Sequence, residues 1–304
     1  MTLLVFLGLV LPIMLFGLSI YFFRLSNRNL KLLVAFSGAF LLSLSFNKFI
    51  PHIYAGLEDS KEVVATCSGT QVDHGHDHHN HAPGEPCTDT EETITEAEQH
   101  AHAHGHHHAH GPAKIIGLFI LLGFFIQLIL DYLTKGVEHG HLHSKCPENE
   151  RSGHDNHTHQ AVAYWPVLIG LSLHSFLESM PLATGFAAPT LQQHLLLGIV
   201  IHNIPISLVF MSLLLQHKVS KIKSIALLGF FALSGPAGVL TSNLVGTHFV
   251  GDLDMFFRFS MAVVVGIFLH ISTTILFETD ENHKFNLMKF GVIVLGALAA
   301  MFHF

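Results

Sequence analysis

Residues 171–181 read LSLHSFLESMP: a histidine, a glutamate four positions later and a proline, all inside an otherwise apolar stretch. The surrounding chain decides how that stretch is read. Of 304 residues, 50% are hydrophobic and only 12% charged, with 26 Phe and a positive mean hydropathy. That profile fits an integral membrane protein and excludes an ordinary soluble domain. Apolar windows of about 20 residues, enough to cross a bilayer core, recur at 2–23, 30–50, 113–134, 163–187, 193–215, 224–246, 258–277 and 286–304. The expected fold is therefore an all-α integral membrane protein with eight transmembrane helices. The first window lacks a basic leader and a small-residue cleavage site, so it is expected to be a retained helix and not a signal peptide.

Lys and Arg set the expected orientation. The segments after spans 1, 3, 5 and 7 hold Arg24, Arg28, Lys31, Lys135, Lys145, Arg151, Lys218, Lys221, Lys223, Lys284 and Lys289, whereas the opposite side has Lys61, Lys114 and Arg258. This asymmetry predicts both termini extracytoplasmic, and the expected location of this multi-pass protein is the plasma (inner) membrane. The expected organisation is helices 1–2 in 1–50, an extracytoplasmic loop over 51–112, helix 3 at 113–134, a cytoplasmic loop over 135–162 and helices 4–8 in 163–304.

Both loops are histidine-rich. DHGHDHHNH occupies 73–81 and HAHAHGHHHAH 100–110; EHGHLH occupies 138–143 and HDNHTH 154–159. Their low complexity predicts disorder. Clustered neutral imidazole suits borderline transition metals better than Mg or Ca, so a loose metal trap is expected, with a pH-responsive solvated loop as the alternative. Three cysteines are too few for a disulfide framework. Cys67 and Cys87 share the outer loop, where a disulfide could persist, and Cys146 falls on the reducing side.

The groups inside the spans carry more chemistry. A charged side chain at mid-bilayer costs about 2.5–3.5 kcal/mol on insertion scales, so an intramembrane acid points to function. His174 and Glu178, four residues apart, share one helix face, with Ser175 beside them. Span 5 carries GIVIHNIPISL at 198–208, which places His202 and Asn203 near its middle. The two antiparallel spans would bring both clusters to the same depth. Two imidazoles and a carboxylate suit Zn2+ with a coordination position left open. Pro181 and Pro205 free the Leu177 and Ile201 carbonyls, and broken helices at membrane depth commonly line binding sites. The alternative is a packed bundle in which a protonated Glu178 bonds to His174 or Ser175.

At these residues the chain resembles the ZIP (Zrt/Irt-like) family of divalent-metal transporters. HSFLES at 174–179 is similar to the family's H-[SN]-x-x-E-G and HNIP at 202–205 to its H-[KN]-x-P-E, while SGAFLLSLSFNKFIP at 37–51 resembles its SG-x-FL…H-L-x-P. The resemblance implies a 3+2+3 helix arrangement with an inverted repeat around spans 4 and 5. It also implies a metal site formed by His174, Glu178 and His202 with Asn203 and Ser175. Several positions depart from the family pattern. Ile206 replaces the family acid after the span-5 proline, Ser179 replaces a glycine, Lys48 stands where span 2 carries histidine, His52 replaces an acid, and Gly235-Pro236 replaces a glutamate before proline. A single metal site is therefore expected, not a binuclear one. His270 and Asp131 are further candidates, with a packed histidine and a helix-end acid as their plainer readings, and Lys48 is expected to snorkel from near the outer end of span 2.

The expected function is uptake of a divalent transition metal into the cytoplasm, most simply Zn2+, with Fe2+, Mn2+ and Cd2+ as other ions the site would take. Expected partners are that ion and membrane lipid, with a homodimer left open and no nucleic acid. The reading is of a transporter and not an enzyme; an HExxH protease motif does not occur. The competing readings are a non-transporting membrane metal sensor and a metal exporter.

Overall fold

The computed structural model describes residues 3–23, 26–55, 111–134, 164–184, 189–249, 252–277 and 287–302. These form α1 (Leu3–Ser19), α2 (Asn27–Leu44), α3 (Gly111–Thr134), α4 (Tyr164–Ser179), α5 (Pro189–Gln216), α6 (Lys221–Phe249), α7 (Leu253–Phe277) and α8 (Leu287–Phe302). No strand occurs among the described residues. Among the described residues, five helical segments are long and apolar enough to cross a membrane: Asn27–Ala55, Ala113–Thr134, Pro189–Gln216, Lys221–Gly246 and Leu253–Leu276; α1 and α8 are shorter apolar helices. The histidine tracts and all three cysteines lie outside the described residues.

Several boundaries differ from the sequence expectation, each for a local reason. Span 2 does not stop at residue 50: α2 passes through a π-helical turn, Ser45–Phe49, and stays helical to Ala55. Small polar side chains accompany the wider turn, because Ser45 Oγ donates to the Leu41 carbonyl (2.9 Å) and Asn47 Nδ2 to that of Ser43 (2.9 Å). Lys48 is half-buried in this turn, with most of two helical turns still beyond it, so it is not close to the end of the span. Span 4, expected to reach residue 187, ends as an α-helix at Ser179. Pro181 cannot donate to the ladder, and Met180–Leu182 tighten into a 3₁₀ turn. Pro205 does not end α5, which runs on to Gln216.

Apolar side chains face outward over much of the surface. On α3, Leu118, Leu121, Phe125, Leu128, Ile129 and Tyr132 are all exposed, the distribution expected when the solvent is lipid. Inside, the buried apolar residues form two separate clusters. One takes in Leu9, Leu41, Phe49, Leu182, Leu195, Ile199, Val239 and Phe268; the other takes in Ile13, Val167, Leu171, Ile206, Phe210, Phe231 and Ala232. Along α4, α5 and α6 the residues between the two clusters are His174–Ser179, His202–Asn203 and Gly235. A polar layer thus crosses the bundle at mid-height.

The most extensive packing falls in two matched pairs: α3 lies on α7 as α8 lies on α2, and α4 lies on α6 as α5 lies on α1. α1 also meets α6 and α2 meets α7, whereas α2 on α5 and α3 on α4 have no counterparts of similar extent. Glycines let the backbones approach where no hydrophobic driving force exists between apolar helices in lipid. A Cβ on Gly123 would overlap the Val263 carbonyl and one on Gly266 the Ile120 carbonyl, so α3 and α7 touch backbone to backbone. Gly238 of α6 meets the Phe176 carbonyl of α4 in the same way.

Candidate metal centre

The polar layer is built chiefly by one face of α4. His174, Ser175, Glu178 and Ser179 recur at helical spacing, and all are buried. From α5, His202 and Asn203 enter the same layer and are no more than 2% exposed. Asn203 Nδ2 donates to Glu178 Oε1 at 2.8 Å. The His174 and His202 rings lie 5.7 Å apart in a T-shaped arrangement. All five residues expected from the sequence therefore gather in one buried place.

A sixth residue was not anticipated. Gln127 of α3 is fully buried, and its Oε1 lies 3.0 Å from His174 Nδ1. A carboxamide oxygen only accepts, so Nδ1 carries the proton and Nε2 of neutral imidazole carries a lone pair. That lone pair faces Glu178 Oε2 at 3.1 Å. With Oε1 already taken by Asn203, a neutral imidazole beside a carboxylate would set two buried acceptors against each other, which is unfavourable unless a proton or a cation lies between them. The spacing is close to the edge of a tetrahedral zinc site, about 3.3 Å for ligand bonds of about 2.0–2.1 Å. The donor chemistry therefore fits a borderline divalent ion.

The remaining walls supply oxygen without charge. The Ser175 and Ser179 hydroxyls, like Asn203 Oδ1, find no hydrogen-bond partner among the described residues. Opposite them stands Gly235: a Cβ there would come within 3.0 Å of Ser179 Oγ and 3.3 Å of Ser175 Oγ. The backbone of α6 closes this side where the family pattern has an acid. Among the described residues no three His, Cys, Asp or Glu side chains stand close enough together to hold one ion. His174 and Glu178 are the closest such pair in the layer, at 3.1 Å.

The secondary candidates occupy another place. Asp131 Oδ2 lies 3.8 Å from His270 Nε2 at the α3–α7 contact, and the His270 ring packs edge-on against Phe124 at 4.8 Å. His52, at the far end of α2, is exposed and takes no part in the buried layer.

Lipid-exposed apolar helices around a buried layer of imidazole, carboxylate and carboxamide define an all-helical, multi-pass integral membrane protein. Within that class the chain belongs to the ZIP zinc transporter family, whose sequence pattern matches residues 60–303. Membership makes it a divalent-metal transporter. The matched region includes HSFLES and HNIP but begins beyond the span-2 motif. No curated protein matches the chain. Gln127 left no signal in the sequence beyond being an uncharged amide in an apolar window; only its neighbour across α4 marks it.

Proposed function

We propose that the protein carries Zn2+ into the cytoplasm through a site between α4 and α5, made by His174, Glu178 and His202 with Asn203 and Ser175 beside them. The observation that carries this reading is Glu178: a fully buried carboxylate at mid-height of a membrane bundle, held on one oxygen by Asn203 and aimed at an imidazole with the other. Such a group is costly in a membrane and is kept where an ion passes. Zinc is favoured over harder ions by the nitrogen donors, and Fe2+, Mn2+ and Cd2+ are the competing cargoes.

The proposed architecture is a 3+2+3 arrangement, α1–α3 and α6–α8 around α4 and α5. The matched helix pairs support an inverted repeat that exchanges α1 with α6, α2 with α7, α3 with α8 and α4 with α5, the kind of symmetry that serves alternating access. The excess of Lys and Arg on one side supports extracytoplasmic termini, and placement in the plasma membrane goes with uptake. The outer histidine tract would raise the local metal concentration and the inner one would receive the ion.

Uptake of radioactive zinc into proteoliposomes tests the site. Glu178→Ala and His202→Ala should each abolish most transport, and wild-type rates in both variants would remove the site. Preserved zinc binding with no uptake by the wild-type protein would favour a sensor.

A further inference from the structure

Gln127 is a fully buried amide on a helix whose other faces are largely turned to lipid. Burying an amide is unfavourable unless it finds hydrogen-bond partners, so its position calls for a reason. Its surroundings hold it still. One turn before it, Gly123 presses on the Val263 carbonyl of α7. On its other side, Leu130 one turn beyond and Thr134 two turns beyond close on Gly170 of α4, where a Cβ would overlap Thr134 Cγ2. Gly170 lies one helical turn before His174, so the close approach of α3 to α4 carries Gln127 onto that imidazole. The contact is Oε1 to Nδ1, 3.0 Å, between two fully buried groups.

We propose that Gln127 is a positioning residue for the transported ion: it holds His174 in the Nδ1–H tautomer and turns Nε2 toward Glu178. This rests on the metal site proposed above. An imidazole that ligates through one nitrogen needs its other N–H committed to an acceptor, which fixes both tautomer and ring plane. In this chain the acceptor is a neutral carboxamide. It orients the ring without adding a second negative charge, leaving Glu178 as the sole buried acid of the layer among the described residues. Release of the ion on the cytoplasmic side is easier from a centre of lower charge, and the carboxamide serves that need where a carboxylate would hold the cation more tightly.

Two readouts test the proposal, zinc binding by the purified protein in equilibrium dialysis and zinc uptake by proteoliposomes. Gln127→Leu removes the acceptor at similar volume; Gln127→Glu keeps an acceptor oxygen. Gln127→Leu should weaken zinc binding and raise the uptake KM about 10–100-fold, the range for loss of such an orienting partner. Gln127→Glu should retain binding at least as tight as wild type, with a lower maximal rate. The decisive comparison is on a His174→Ala background, where Gln127→Leu should have no further effect because the residue acts through the ring it orients. Wild-type binding by Gln127→Leu, equal damage in the Leu and Glu variants, or an undiminished effect on the His174→Ala background would each overturn the assignment. If His174→Ala is damaging and Gln127→Leu is not, the metal site stands and this inference falls. If neither variant changes binding, both fall.

Discussion

Gly238 offers a quantitative test of how far the helix scaffold controls the site. Its Cα faces the backbone of Phe176, which sits on α4 midway between His174 and Glu178. A Cβ at Gly238 would stand 2.9 Å from the Phe176 carbonyl carbon and 3.2 Å from its Cα, and would overlap the carbonyl oxygen. Clearing the carbon alone needs 0.5 Å, the gap between 2.9 Å and the 3.4 Å at which ordinary contact begins. The overlapped oxygen needs more, and since both partners are backbone atoms, α4 must move by roughly 1 Å in a close-packed interior. Overpacking of this kind costs about 1–3 kcal/mol of stability. The functional cost is larger in proportion: a displacement of about 1 Å at reacting groups is worth about 100-fold, and ligand distances tolerate only about 0.2 Å. Gly238→Ala should therefore lower zinc uptake by about two orders of magnitude, although every metal-facing side chain is retained. Initial rates against zinc concentration in proteoliposomes measure this. Gly229→Ala is the control: it lies on the same helix, meets nothing within 4 Å, and should transport as wild type. Uptake by Gly238→Ala within about twofold of wild type would refute the link between α4–α6 spacing and ion binding.

Asn203→Leu removes the 2.8 Å donor to Glu178. Hydrogen bonds to charged groups contribute about 1.5–3 kcal/mol, so zinc binding should weaken by roughly 10–150-fold in equilibrium dialysis, and a change below threefold would show that Asn203 does not hold the carboxylate. Uptake should fall as the medium is acidified, because imidazole must be neutral to ligate an ion; uptake measured at fixed free zinc across a pH series checks this, and a rate that rises toward acid would contradict histidine ligation.

The sequence by itself determined the class of the protein and pointed to five residues of its polar layer, though not to Gln127. Apolar windows long enough to span a bilayer have few structural alternatives, since unsatisfied backbone groups are intolerable in lipid. His174 and Glu178 are four residues apart on one helix, so their meeting is a local consequence of helical period. Where each helix ends was less legible. The π-helical turn at Ser45–Phe49, beside which Ser45 and Asn47 bond back to the helix, leaves no signature in the apolar pattern, and the early end of α4 depends on how the chain accommodates Pro181. The same residue type had a different outcome at Pro205, where α5 continues. Tertiary structure alone decided that Asn203 would serve Glu178, that Gln127 would reach His174, and that Gly235 and Gly238 would bring α6 against α4. Those contacts join residues far apart in the chain. The contacts of α4 with α3 and α6 arise where glycines let those helices approach closely, which sequence periodicity does not encode.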